Sequence, residues 1–497
     1  MKLYRKWVGK LLPTFIIFIL GLTPIIWFYQ KGNVLLNGVD TNFPLDPLSW
    51  FLKRFFVWNS TVNTGVDFSS STAGLFFHFI QVTAYQLGFN LQQVQIISLV
   101  FWFMTVVFAA FLLAKVLFKG NFPVQLLFIT LYSFNPYLFN TWENVKVSNL
   151  SLIAALPLGL AIFFALNEKG ITRAKAAFYS ALVGIVLLGS GINPSYFLTF
   201  YFILFIFLLS FIITYWWQKR IFSYILNFLI VCAVIMVVNL FWILPTSNFI
   251  LQNVPTTGSI YKLGLTNWID SLSENTSIFN VTRIQGAWDW YPIDDKTELP
   301  LYIPYSLNYF HRLPFITFSI LIPTLALLSF LFFKREQSLF YISFGILAVL
   351  GIFLTAGTHL PSGAIYKLLV DYLPFFTIFR SPWYIFSPMI ILAFAGLVCL
   401  LFYNLSQLFQ KYDFKGGTIL IWFGILILVV GNFFYNYPLV TGKIFRPDKK
   451  DGFYINFPDY VFEARDWLKI KEDGRIIGYP SDEIENFKSF LFLRQIG

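Results

Sequence analysis

FIIFILGLTPIIWFYQKG, residues Phe15 to Gly32, carries no charge until Lys31. It completes an apolar run, Leu11 to Tyr29, that follows Lys2, Arg5, Lys6 and Lys10. A hydrocarbon core about 30 Å thick takes ~20 helical residues to cross, and this run is long enough. A secretory signal also begins basic and then apolar, but its apolar core is shorter and ends at a small-residue cleavage site. No such site follows, so the run is read as a retained membrane helix.

The rest of the 497-residue chain repeats the pattern. It is 57% hydrophobic and 12% charged, with 62 Phe; a soluble domain carries about 25% charged residues. Ten further runs read as spans: 96–117, 124–139, 150–166, 174–189, 196–216, 221–244, 315–333, 339–354, 384–402 and 418–434. The expected fold class is therefore mainly α, a polytopic transmembrane protein of about eleven spans.

Charge supports that count. With the N-terminus inside, inner segments hold fifteen Lys and Arg against three acids, and outer loops hold ten against eleven. An excess of Lys and Arg in short inner loops is the positive-inside signature. The net charge of +11 is thus mostly topology, and nucleic acid is not an expected partner. The two cysteines, Cys232 and Cys399, lie inside apolar spans and form no disulfide or zinc spacing.

Inner connections are short, whereas three outer loops are large: 30–95, 245–314 and 355–383. Residues 1–436 form the expected membrane domain. The polar remainder, 437–497, is expected outside; it contains DYVFEARDWLKIKEDGRIIGYP, an amphipathic helix followed by a strand. It reads as the start of a truncated soluble α/β unit. Localisation is expected in the plasma membrane, N-terminus cytoplasmic and C-terminus extracytoplasmic.

No P-loop, no G-x-G-x-x-G opening a helix and no Ser/His/Asp motif is present, and three His argue against a histidine metal cluster. The outer loops instead offer acids and aromatics: Asp40, Asp46, Asp67, Glu143, Asp270, Asp289, Asp294 and Asp295, with Trp268, Trp288 and Trp290. Carboxylates accept from sugar hydroxyls and flat rings cover sugar CH faces, although such rings also populate interfacial belts.

In NGVDTNFPLDPLSWFLKRFFVWN, residues 37–59, Leu48, Phe51, Leu52, Phe55 and Phe56 fall at helical spacing. They predict an amphipathic helix lying on the outer interface. Asp46 before Pro47 is a helix opening, a capping acid with proline at the first helical position. Asp40 has no such duty beyond a turn, and is the better candidate for a base.

Three stretches, DTNFPLDPLSWFLKRFFVWN, NWIDSLSENTSIFNVTRIQGAWDW and LPFFTIFRSPWYIF, resemble in order the α-(1→3)-arabinofuranosyltransferase family, within the GT-C class of membrane glycosyltransferases. DYVFEARDWL is similar to the start of that family's outer domain. The resemblance implies a polyprenyl-phosphate sugar donor, a glycan or glycolipid acceptor, membrane lipids around the fold, and inversion with Asp40, or else Asp46, as general base. No cofactor is expected, with a divalent metal left open. The donor phosphate needs cations: Arg380, beside Ser381 as helix cap and Pro382 as helix start, and Arg283 are the candidates. Trp288, Glu143, Lys146 and Asn193 are candidates to line the substrate cavity, with Glu143–Lys146 pairing and an Asn193-Pro194 helix terminator as their plainer readings. A flippase of lipid-linked saccharide would need ionisable groups at mid-membrane, which the spans largely lack. A non-catalytic scaffold for envelope assembly is the third reading.

Overall fold

In the computed structural model the described residues are 13–29, 31–32, 34–37, 43–60, 65–143, 146–218, 220–253, 259–373, 375–412, 416–446 and 453–470, with the side chains of 143, 253, 259–263, 468 and 469 excepted. Nine helices among them are long and apolar enough to cross a membrane: Leu91–Leu117, Val147–Asn167, Arg173–Ile192, Pro194–Thr214, Ile221–Gln252, Leu313–Phe332, Arg335–Thr355, Pro382–Lys411 and Gly417–Tyr435. Two shorter apolar helices, Pro13–Trp27 and Phe122–Ser133, occupy the places of the first and third expected spans. The chain is a mainly α, polytopic integral membrane protein.

Local chemistry sets the helix boundaries. Asn90 and Gln93 form a reciprocal capping box at Leu91, which satisfies two of the amides a helix start leaves over. The expected span 124–139 is instead broken. Phe122–Ser133 ends, Asn135 accepts from the Leu138 amide at 3.0 Å, and a new helix, Pro136–Glu143, begins. Proline supplies no amide, and its ring obstructs continuation of the preceding helix. The last span repairs this break: Asn432 Nδ2 donates to the carbonyls of Thr130 and Phe134, each at 2.9 Å, and Asn436 Nδ2 donates to Phe134 at 3.0 Å. In a membrane these carbonyls have no water to turn to.

Pro382–Lys411 is almost wholly buried and forms the hub. Helices Ile221–Gln252, Leu313–Phe332 and Gly417–Tyr435 are mostly unburied in the bundle and present apolar side chains such as Leu331, Ile419 and Phe423 outward. That surface suits lipid.

The interfacial helix is shorter than its sequence pattern, Pro47–Leu52 followed by a tighter turn at Lys53–Phe55. Leu52, Phe55 and Phe56 are exposed, as an interface-lying face requires. The tail is woven into this end. Leu35–Leu36 pairs antiparallel with Tyr454–Ile455, and Trp27 Nε1 donates to the Leu439 carbonyl at 2.6 Å. The helix Asp459–Lys469 buries Val461 against Leu35, Phe43 and Leu45, with Arg465 donating to the Leu45 carbonyl at 3.2 Å. The strand expected after this helix lies outside the described residues.

Candidate functional site

At the end of the bundle that carries the long loops, three separated stretches meet around Asp289. Trp288–Trp290 forms a single tight turn. Trp290 anchors it, stacking on Phe139 at 5.6 Å and donating from Nε1 to Asn140 Oδ1 at 3.0 Å. Gly286 lets the loop lie against the Pro382 helix, since a Cβ there would sit 2.9 Å from Trp383. The Asp289 carboxyl is thereby turned inward.

One carboxyl oxygen, Oδ2, accepts from the Tyr384 hydroxyl at 3.5 Å, a long contact. The other, Oδ1, is buried without a hydrogen-bond partner among the described residues. Lys146 sits with its Nζ 4.8 Å from the centre of the Tyr384 ring. Burial pushes the Asp289 carboxyl up to about 6, and the charges of Lys146 and Arg446 and the Tyr384 hydroxyl partly oppose that rise. Desolvation disfavours the charged form, while neighbouring cations favour it. Tyr384 is itself held in place, its carbonyl accepting from Tyr137 Oη at 2.9 Å, and Tyr137 Oη in turn accepts from Asn149 Nδ2 at 3.2 Å. Asn140 Nδ2 and Trp383 Nε1 are further buried polar atoms without partners among the described residues. Buried polar groups ordinarily find partners, so this concentration suits a polar ligand.

The start of the first long loop runs beside this site. The Asn37 amide donates to the Phe453 carbonyl at 2.8 Å, and the Phe453 amide to Phe445 at 3.0 Å, next to Arg446. Asp40 itself lies outside the described residues.

The other expected residues divide. Asp46 caps the Pro47 helix, accepting from the Ser49 amide at 3.3 Å and from Ser49 Oγ at 2.8 Å, as its position before Pro47 predicts. Asn193 caps the Pro194 helix through the Ser195 amide and hydroxyl, so it starts a helix as well as ending one. Ser381, expected as a cap, makes no capping side-chain bond. Its carbonyl takes the first helical amide, that of Ile385, at 3.1 Å, while Pro382 does open the helix. Arg380 is exposed beside it.

Arg283 is half-buried. Its Nε donates to Ser319 Oγ at 2.7 Å, its Nη2 reaches the Tyr309 carbonyl at 3.5 Å, and its guanidinium lies 4.8 Å from the Phe279 ring centre. It borders a cavity of about 50 Å³ between spanning helices, walled by Phe318, Ile322 and Phe394. Trp288 is partly exposed and packs edge-on to Tyr302 at 5.2 Å. The Glu143 side chain lies outside the described residues, and Lys146 meets Tyr384. Asp289 stands among eight loop acids in the sequence reading without distinction, and Tyr384 and Arg446 are absent from it. The one signal for Asp289 is its place between two tryptophans. Among the described residues, no three His, Cys, Asp or Glu come together as metal ligands.

No protein-family model matches the chain, and no curated protein matches by sequence. The fold does have solved relatives. The single-particle structure of the arabinofuranosyltransferase AftD from Mycobacteria superimposes with a TM-score of 0.54 at 12% identity, covering 94% of this chain and 28% of that one. A mutant of the same enzyme gives 0.53 at 12%, covering 94% and 30%. An Archaeoglobus fulgidus oligosaccharyltransferase aligns at only 0.45 and 11%, over 98% of this chain and 59% of that one, too distant to add to the fold assignment. The chain thus shares its fold with a part of AftD and spans less than a third of that enzyme's length.

Proposed function

We propose that the chain is a membrane glycosyltransferase that moves a sugar from a polyprenyl-phosphate donor to a glycan or glycolipid acceptor on the extracytoplasmic face. The observation that carries this reading is Asp289: a partly buried acid whose Oδ1 is buried and unpartnered among the described residues, near two cations, at the loop end of the fold. Lys146 and Arg446 suit a donor phosphate, and Asp289, ionised at neutral pH, suits sugar hydroxyls. The AftD likeness makes an arabinofuranosyl donor the first to try.

In this mechanism Asp40 takes the proton of the acceptor hydroxyl as that oxygen attacks the anomeric carbon. The carbon–oxygen bond to phosphate breaks, its electron pair leaves with polyprenyl phosphate, and the anomeric centre inverts. General-base help of this kind contributes typically about 10²–10⁴-fold. Asp46 is the weaker candidate, because both its oxygens serve Ser49. Asp289 is a second reading for the base, favoured by its ordinary carboxyl being pushed up to about 6, close to the operating pH a base needs.

Arg380, exposed beside a helix start, remains a candidate for the lipid phosphate before it enters. The test is a panel of labelled polyprenyl-phosphate sugars with purified protein and its Asp40→Asn, Asp46→Asn and Asp289→Asn forms. Transfer that survives in Asp46→Asn and vanishes in Asp40→Asn supports the assignment. Transfer surviving in both Asp40→Asn and Asp289→Asn would refute it.

A further inference from the structure

The opposite end of the bundle holds a second, larger cavity, about 330 Å³, which the proposed reaction does not use. Its lining includes Lys119, Asn121, Ser406, Gln407, Thr418 and Trp422. We propose that it binds the phosphate headgroup of an anionic phospholipid.

The chemistry of the lining is that of donors. Gln407 Oε1 accepts from Lys334 Nζ at 2.8 Å. An ammonium has only hydrogens to offer, so the amide orientation is settled and the Gln407 NH₂ is left to donate. Ser406 Oγ is occupied, donating to the Tyr403 carbonyl at 2.7 Å and accepting from Asn121 Nδ2 at 3.1 Å. Asn121 keeps a second amide hydrogen. Lys119 pairs with Glu168, but both side chains are open to solvent, 68% and 36% exposed, and an exposed pair is worth little. Its charge therefore stays available to a better anion. Among the described residues no carboxylate lines the cavity.

A helix start adds to this. Thr418 stands in the first turn of Gly417–Tyr435, which has no side-chain cap and no acid in that turn, so its leading amides favour an anion. The same helix argues for a lipid over a free ion. Ile419, Leu420, Trp422 and Phe423 are all exposed on it, so the mouth of the cavity adjoins a surface suited to acyl chains. A headgroup in the cavity would leave its tails along that face.

The test uses the full chain, delipidated in mild detergent. Binding of dioleoyl phosphatidylglycerol, dioleoyl phosphatidylcholine and inorganic phosphate is followed by native mass spectrometry and thermal stabilisation. Phosphatidylglycerol should bind and stabilise in preference to the other two. Lys119→Ala should weaken that binding about fivefold, the effect of one cation near an anionic lipid, and Lys119→Ala with Gln407→Leu should weaken it further. Lys175→Ala, an exposed cation outside the cavity, should change nothing, and lipid-free melting of Lys119→Ala should match the parent. Equal binding of both lipids, or equal losses from Lys119→Ala and Lys175→Ala, would overturn the site. Stabilisation by inorganic phosphate as strong as by the lipid would overturn the lipid assignment.

Discussion

Replacing Asp289 with asparagine should make the protein more stable at neutral pH while impairing transfer. Burial raises this carboxyl from 3.8 to about 6. A rise of that size disfavours the native carboxylate by an amount on the order of a few kcal/mol at most. The sign follows from the direction. A carboxyl whose folded pKa is raised is favoured protonated, so the native state is at its best below about pH 4 and loses that advantage as pH rises through about 6. Asparagine keeps the shape and has no charge to desolvate. Melting in detergent should therefore show Asp289→Asn a few degrees above the parent at pH 7.5. The gap should close as pH falls towards 4.5, since the protonated parent then resembles the variant. Comparing variant with parent at each pH removes the titration of distant groups. A variant equally or less stable at pH 7.5, or a gap that ignores pH, would show that Lys146 and Arg446 fully compensate the carboxylate. The raised acid would then be no sign of a prepared site.

Asp46→Ala should cost about 0.5–2 kcal/mol of stability, the value of a helix cap, read as a lower melting temperature with transfer retained, whereas Asp46→Asn keeps a capping oxygen and should melt near the parent. Asp40→Asn should melt like the parent and lose transfer. Asn432→Leu removes one hydrogen bond from each of the Thr130 and Phe134 carbonyls, which keep the Phe134 amide and Asn436 as partners; at about 0.5–1.5 kcal/mol per bond, it should lower melting with transfer retained. Polyprenyl-phosphate binding should weaken in the order Arg380, Arg380→Lys, Arg380→Ala, because lysine keeps the charge but loses the planar fork; equal binding would make Arg380 an ordinary surface cation.

Hydrophobic run length made the spans legible because each helix must satisfy its own backbone in lipid. Local caps were legible for the same kind of reason: Asp46-Pro47 and Asn193-Pro194 act within two or three residues of themselves. The break at Asn135-Pro136 is written in the sequence as a proline after a capping asparagine, although run length carried the expected span 124–139 across it. That Asn432, some three hundred residues later, repairs it is not written there. The candidate site was the least legible part. Lys146, Asp289, Tyr384 and Arg446 come from four separate segments, and no spacing rule links them. What marks Asp289 is burial of its carboxyl, a property of packing that its neighbours in sequence do not specify.

The central claim is that a glycosyl bond is made and a lipid phosphate released, and stoichiometry tests it most directly. Protein in liposomes would be given a doubly labelled polyprenyl-phosphate sugar, one label on the sugar and one on the lipid. The account predicts one polyprenyl phosphate freed for each sugar joined to acceptor, and neither product from Asp40→Asn. Intact lipid-linked sugar crossing the bilayer without release of polyprenyl phosphate would contradict it and identify a carrier instead.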